Sequence, residues 1–159
     1  MGVDVQTEIV IDRPVDLVAT YAADPTNAPD WYANIDAVEW ETSPPVGVGS
    51  RVAFAARFLG RRLAYTYEVV DLVPGERLVM RTAEGPFPME TTYTWSPDGN
   101  GSTRMTLRNR GEPAGFSRLA APFTGPAIRR ANRKDLAQLK ALLERADRPS
   151  PPVPGDGSS

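Results

Sequence analysis

Three tyrosines and one amide are the side chains with most to offer chemically. Tyr65 and Tyr67 stand two apart, so on an extended strand both hydroxyls point to the same side. Tyr93 adds a third phenol from a nearby segment, and Asn109 can donate and accept beside them. Such groups orient or polarise a carbonyl or enolisable molecule; equally, they can cap a core and bond to backbone. The chain of 159 residues has no His and no Cys. That removes the Ser-His-Asp and Cys-His pairs, imidazole bases, disulfides and the usual zinc and iron–sulfur sites. Chemistry is left to carboxylates, phenols, Lys, Arg, hydroxyls and amides.

The carboxylates form no constellation. Glu68 and Glu90 fall on the expected outer face of their strands, and Asp71 and Glu76 flank the Pro74-Gly75 turn. No pair has the placement of a glycosidase site. Gly47-Val-Gly49 precedes a strand, so it is a bend and not a phosphate cradle. No metal site, no cofactor and no nucleophile is indicated, and no catalytic residue is assigned. With 18 Lys and Arg against 20 Asp and Glu, the formal charge of −2 gives no attraction for nucleic acid. No apolar run approaches the length of a membrane span, so no stable membrane insertion is expected, and a cytoplasmic protein is the default. Nothing fixes an oligomeric state.

The elements that must position these groups follow from periodicity. Val3, Val5, Thr7, Ile9 and Ile11 alternate with Asp4, Gln6 and Glu8, as in a half-buried strand. Pro14 opens a short helix with Leu17, Val18, Tyr21 and Ala22 inward, and Asp24-Pro25 opens a second that carries Trp31 and Tyr32. Strands are then predicted over 35–42, 50–58, 62–72, 77–82, 88–96 and 103–111, separated by turns too short for crossovers. A long helix is predicted over 117–146, kinked or delayed by Pro122, Gly125 and Pro126, with Arg129, Arg130, Arg133 and Lys134 exposed and Asp135 closing that polar run. The Pro-rich end has too few apolar groups to order. The predicted organisation is a ligand-binding domain over 1–147 and a disordered tail over 148–159.

This is an α+β chain: a curved seven-stranded antiparallel sheet, two short helices after the first strand, and one long C-terminal helix to cover the concave face. A bent sheet closed by a single helix leaves a natural cavity. The inward set would include Phe54 and Phe58, Tyr65 and Tyr67, Met80, then Met89, Thr91 and Tyr93, then Met105 and Asn109. Trp31, Leu119, Phe123 and Ile128 would close the space from the helices. Arg57, Arg81, Arg108 and Arg110 alternate with these and face solvent, unless a bulge turns Arg57 or Arg81 toward the cavity mouth.

Ile11-Asp-Arg-Pro14, Asp24-Pro25 with Trp31, Val48-Gly-Ser50, Tyr67-Glu-Val-Val-Asp-Leu-Val-Pro-Gly-Glu-Arg-Leu78, Thr92-Tyr-Thr-Trp95 and the terminal Asp135-Leu-Ala-Gln-Leu-Lys140-Ala-Leu-Leu-Glu144 occur in this order. In this the chain resembles the START-like, or polyketide cyclase/dehydrase-like, superfamily (SRPBCC, pollen-allergen-like) with its helix-grip fold. The resemblance implies a cavity for a hydrophobic small molecule: a lipid, an isoprenoid or an aromatic polyketide. It also implies an alternative role as a cyclase, aromatase or dehydratase that positions its substrate while Tyr, Arg or Asn polarises a carbonyl. It implies gating near 116–126, where Pro and Gly interrupt an apolar segment. These motifs are turns, caps and core positions, so they speak for a fold more than for a reaction.

Overall fold

The computed structural model describes residues 3–58, 61–85, 88–111 and 125–146. Strand β1 (Val3–Ile11) is followed by α1 (Val15–Ala23), a 3₁₀ turn (Pro25–Asn27) and α2 (Ala28–Trp31). Six strands follow: β2 (Ile35–Trp40), β3 (Arg51–Phe58), β4 (Arg61–Val73), β5 (Arg77–Glu84), β6 (Met89–Pro97) and β7 (Thr103–Gly111). Helix α3 (Gly125–Ala146) ends the described chain. The strands form one antiparallel sheet in the order β1-β7-β6-β5-β4-β3-β2, so β2 to β7 are a meander and β1 returns beside its last strand. This is the antiparallel sheet with a long C-terminal helix that the periodicity predicts, in the helix-grip arrangement that the resemblance implies.

Alternation explains the two faces. Val5, Thr7 and Ile11 are buried while Asp4, Gln6 and Glu8 are exposed; Thr91, Tyr93 and Trp95, and Thr103, Met105 and Leu107, repeat the pattern on β6 and β7. The pairing register departs from this regularity where one strand carries an extra residue: Asp36 in β2, Val70 in β4 and Ala83 in β5. Each such bulge adds local twist and bends the sheet toward its inner face. The β6–β7 turn needs Gly99 and Gly101 at φ of 69° and 88°, a left-handed backbone that side chains disfavour.

Asp24 starts the 3₁₀ turn by accepting the Thr26 amide at 2.9 Å, and Pro25 fills a position whose amide would be unpaired anyway. The turn and α2 bring Trp31 to 1% exposure against the sheet. On α3, Ile128, Asn132, Asp135, Leu136, Leu139 and Leu143 are the buried stripe. Its C-terminal half packs into the solid core with Ile11, Val18, Trp95, Met105 and Leu107. Lys140 fastens it to β1 by donating to the Val10 carbonyl at 2.9 Å, while Glu144 accepts the Asp12 amide at 2.8 Å.

One expectation changes here, and several lie outside the described residues. The described helix begins at Gly125, with Pro126 in its first turn, where its ring removes no helical bond. The expected start at Ser117, the gating segment before Thr124, Leu119 and Phe123, and the tail after Ala146 lie outside the described residues. Asp135 does not belong to the exposed run. It is 3% exposed, because it follows Ile128 and Asn132 at the spacing of the inward face.

Candidate functional site

Between the sheet and the N-terminal half of α3, which touches β1 through Ile128 and Val5, a cavity of about 150 Å³ remains. One water needs roughly 10–15 Å³, so this is room for an organic molecule and not a packing flaw. Its sheet side is made by Phe54, Tyr65, Tyr67, Leu78, Met80 and Thr82, continuing to Met89, Thr91, Tyr93 and Asn109. Trp31, Tyr32, Ile128, Ala131, Asn132 and Asp135 close it from α2 and α3.

Of the sequence-expected site residues, Trp31, Phe54, Tyr65, Tyr67, Met80, Met89, Thr91, Tyr93, Asn109 and Ile128 therefore line one space. Met105 does not. It is fully buried in the core cluster that holds Leu136, Leu139 and Leu143 of α3, directly paired with Ile9 on one side and Trp95 on the other. The Phe58 side chain, Leu119 and Phe123 lie outside what the structure describes. Tyr32, Asn132 and Asp135 complete the lining without having been singled out. The signal for the last two was available: both are polar residues on an otherwise apolar helical stripe.

The aromatic rings are in mutual contact. Phe54 stacks on Tyr65 at 5.5 Å between centroids, Tyr65 tilts against Tyr67 at 5.2 Å, and Trp31 lies 4.1 Å from Tyr32 and 5.8 Å from Tyr93. The polar groups form two sets. Across the sheet, the Tyr67 hydroxyl meets Thr91 Oγ1 at 3.0 Å, and Thr91 donates to Asn109 Oδ1 at 2.6 Å. At the helix side, the Tyr32 and Tyr93 hydroxyls share a short hydrogen bond, and Asp135 Oδ1 accepts the Ala33 amide at 3.1 Å.

Burial dominates the electrostatics. It holds the Tyr32 and Tyr65 phenols well above their ordinary value, and neighbouring phenols and Asp135 push the same way. Tyr93 is raised by burial as well, although the bond from Tyr32 opposes this. Tyr67 is raised by burial against a lowering bond from Thr91. These phenols are neutral donors and acceptors, not phenolate bases. The Asp135 carboxyl is pushed up to about 6 by burial, with the Ala33 amide and the Lys134 charge pulling the other way. Asp135, Trp31 and Tyr32 also form the inner wall of a surface groove rimmed by Pro29, Asp30, Lys134 and Gln138. One carboxyl thus borders both the cavity and the groove.

No bulge redirects the arginines. Arg57 pairs with Asp36 at 2.8 Å, Arg81 and Arg110 both grip Glu90 at 2.7 and 2.5 Å, and Arg108 holds Asp4 at 2.7 Å, all on the outer face. Among the described residues, no group of three or more carboxylates could hold a metal ion, and no helix is long and apolar enough to cross a membrane.

Residues 2–144 match the family described as polyketide cyclase / dehydrase and lipid transport. The chain belongs to that family. No curated protein matches it in sequence. Among solved structures, the family member is similar to protein TTHA0849 of Thermus thermophilus, with a TM-score of 0.76 and 21% identity over 91% of this chain and 99% of that one. It is similar to the Zhui aromatase/cyclase of Streptomyces sp. R1128, with a TM-score of 0.75 and 21% identity over 96% and 100% of the two chains. A START superfamily protein of Mycobacterium smegmatis aligns at 0.67 and 16% identity over 90% and 95%. At these identities the likeness is one of fold.

Proposed function

We propose that this polyketide cyclase/lipid transport family member binds and carries a hydrophobic small molecule of lipid, isoprenoid or aromatic polyketide type inside the cavity between the sheet and α3. The observation that carries the reading is the cavity itself: a space of about 150 Å³, walled mainly by aromatic, Met and branched aliphatic side chains. An unfilled apolar space of that size forfeits the contacts of every atom facing it, so evolution keeps one where a ligand supplies them. Its volume is below the roughly 300–1,000 Å³ of drug-sized sites, which favours a compact molecule or one ring-bearing end of a longer one. Native mass spectrometry of the purified protein, followed by displacement of an apolar fluorophore, tests this. A protein with no adduct that also ignores every apolar aromatic probe is not a carrier.

One observation favours a second reading, catalysis on an enolisable polyketide-type substrate. A carboxyl pushed up to about 6 within a ring of neutral phenols has the proton affinity of a general acid–base group near neutral pH. The likeness to an aromatase/cyclase supports the same view. Replacing Asp135 by Asn separates the two. A carrier keeps its affinity within about tenfold, the worth of an ordinary hydrogen bond; an enzyme keeps its binding and loses most of its turnover.

A further inference from the structure

The two halves of α3 treat charge differently. In the C-terminal half, Lys140 and Glu144 stand four residues apart and bond each other. In the N-terminal half, Arg129, Arg130, Arg133 and Lys134 are all exposed, and none of them forms an ion pair among the described residues. Asp135, next in the chain, is turned inward to the Ala33 amide. The outer face of the sheet shows the ordinary treatment: Arg57, Arg81, Arg104, Arg108 and Arg110 each pair with an Asp or Glu.

The spacing makes the unpaired set a cost to the free protein. Arg129 and Arg133, and likewise Arg130 and Lys134, stand four apart, while Arg130 and Arg133 stand three apart. Like charges at these spacings face each other along a helix and weaken it. They are not part of a general basic excess, because the whole chain has a formal charge of −2. A concentrated positive face on an otherwise acidic molecule turns that face toward an anionic surface.

The same two turns wall the cavity. Ile128, Ala131, Asn132 and Asp135 border it from the side of the helix opposite the four cations. Whatever meets the cations therefore lies one helix diameter, about 10 Å, from the cavity. Protein interfaces are centred on buried aromatic or large apolar anchors. This face has none: the exposed neighbours of the cations on α3 are Pro126, Ala137, Gln138 and Ala141. Val48, the exposed large apolar residue among the described ones, lies in the β2–β3 loop. An anionic bilayer needs no such anchor, since its surface potential acts on each Lys or Arg separately.

Resting on the carrier reading, which makes a bilayer the natural source or destination of an apolar cargo, we infer that the N-terminal half of α3 is a docking face for anionic lipid membranes. Arg129, Arg130, Arg133 and Lys134 meet the headgroups. With no large apolar residue beside them to insert, the contact is peripheral and reversible. Each cation tightens binding about fivefold, so the four favour an anionic over a neutral bilayer by roughly 600-fold at low salt.

Co-sedimentation of the full chain, without cargo, tests the docking. Vesicles of phosphatidylcholine with about one-third phosphatidylglycerol should bind it at low salt and release it in about 1 M salt, and pure phosphatidylcholine should not bind it. These comparisons need no variant. The triple variant Arg129→Gln, Arg130→Gln, Arg133→Gln should bind about a hundredfold more weakly. It should melt no lower than its parent, because Gln forms helices as well as Arg and the repulsion is gone. Equal binding to neutral vesicles, or undiminished binding by the triple variant, overturns the docking face. So does indifference to the anionic vesicles; retention on immobilised polyglutamate would then assign the face to an acidic protein. Transfer of an apolar fluorophore between vesicles keeps the two readings apart. A protein that docks but takes up no fluorophore is not a carrier, and its docking face stands.

Discussion

Asp135 Oδ1 accepts the Ala33 amide at 3.1 Å, and this one bond joins the middle of α3 to the chain leaving α2. The carboxyl therefore has a structural task whether charged or neutral, but burial favours the neutral form, with a folded value of about 6 against an ordinary 3.8. Below pH 3.8 both folded and unfolded chains hold the proton and the group contributes nothing. Between 3.8 and 6 the unfolded chain releases it first, so stability falls as pH rises, toward a ceiling of about 3 kcal/mol. Asp135→Asn keeps an acceptor for Ala33 and cannot ionise. It should match the parent protein at about pH 4 and exceed it by about 1–3 kcal/mol at about pH 7.5 in urea unfolding. Parallel stability curves for the two proteins across that range would contradict a buried, reluctant carboxylate.

Most of the fold could be read from the chain because alternation is hard to mistake when one face of a sheet is wet. Asp4, Gln6 and Glu8 against Val5, Thr7 and Ile11 leave one register for β1, and Thr91, Tyr93 and Trp95 do the same for β6. The cavity wall followed from the same rule. What periodicity could not separate is a residue that fills the core from one that borders a space: Met105 and Met80 have the same chemistry and share one core cluster, yet only Met80 lines the cavity. Asp135 was misassigned for another reason. Beside Arg133 and Lys134 its charge read as part of a solvated face, whereas its helical spacing from Ile128 and Asn132 places it inside. When type and period disagree, a polar residue on an apolar stripe is a candidate for function.

Gly111 is a glycine for want of room. A Cβ there would lie 2.0 Å from the Met89 sulfur and 2.6 Å from the Pro88 carbonyl oxygen. Met89 can swing aside, but the carbonyl belongs to the backbone, and moving it strains the β6–β7 pairing. Gly111→Ala should cost about 1–3 kcal/mol and also disturb the cavity, since Met89 lines it. An unchanged urea midpoint with unchanged probe binding would show that the strand end yields freely.

Glu90 takes two arginines on the outer face, and their bonds, Arg81 first and Arg110 second, hold its carboxyl below the usual range. A lowered folded value contributes stability above the unfolded value near 4.5, and that contribution is lost as pH falls through the folded one. Glu90→Gln should destabilise by about 1 kcal/mol near pH 7 in low salt, and by less in about 1 M salt, where the pairs are screened. At about pH 2 the two proteins should unfold alike. A deficit that persists in acid would assign the loss to packing and not to charge.

Thr91 passes the hydrogen bond of Tyr67 on to Asn109 and is 3% exposed. Thr91→Val keeps the shape and removes both bonds, at an expected cost of about 1–3 kcal/mol. It also frees the Tyr67 proton, so Tyr67 becomes able to donate into the cavity. A variant as stable as its parent would mean that the row across β4, β6 and β7 carries no net energy.

Asn132 supplies the counterpart, a polar group whose removal should help the empty protein. Its amide nitrogen is buried without an acceptor, which disfavours the folded state by about 1–3 kcal/mol if nothing else bonds it. Asn132→Leu exchanges that group for an apolar one of similar volume between Ile128 and Leu136 on the same stripe. The ligand-free variant is therefore expected to melt at the same temperature as its parent or a few degrees higher. If Asn132→Leu melts markedly lower, the amide serves the fold and its burial is not a net cost.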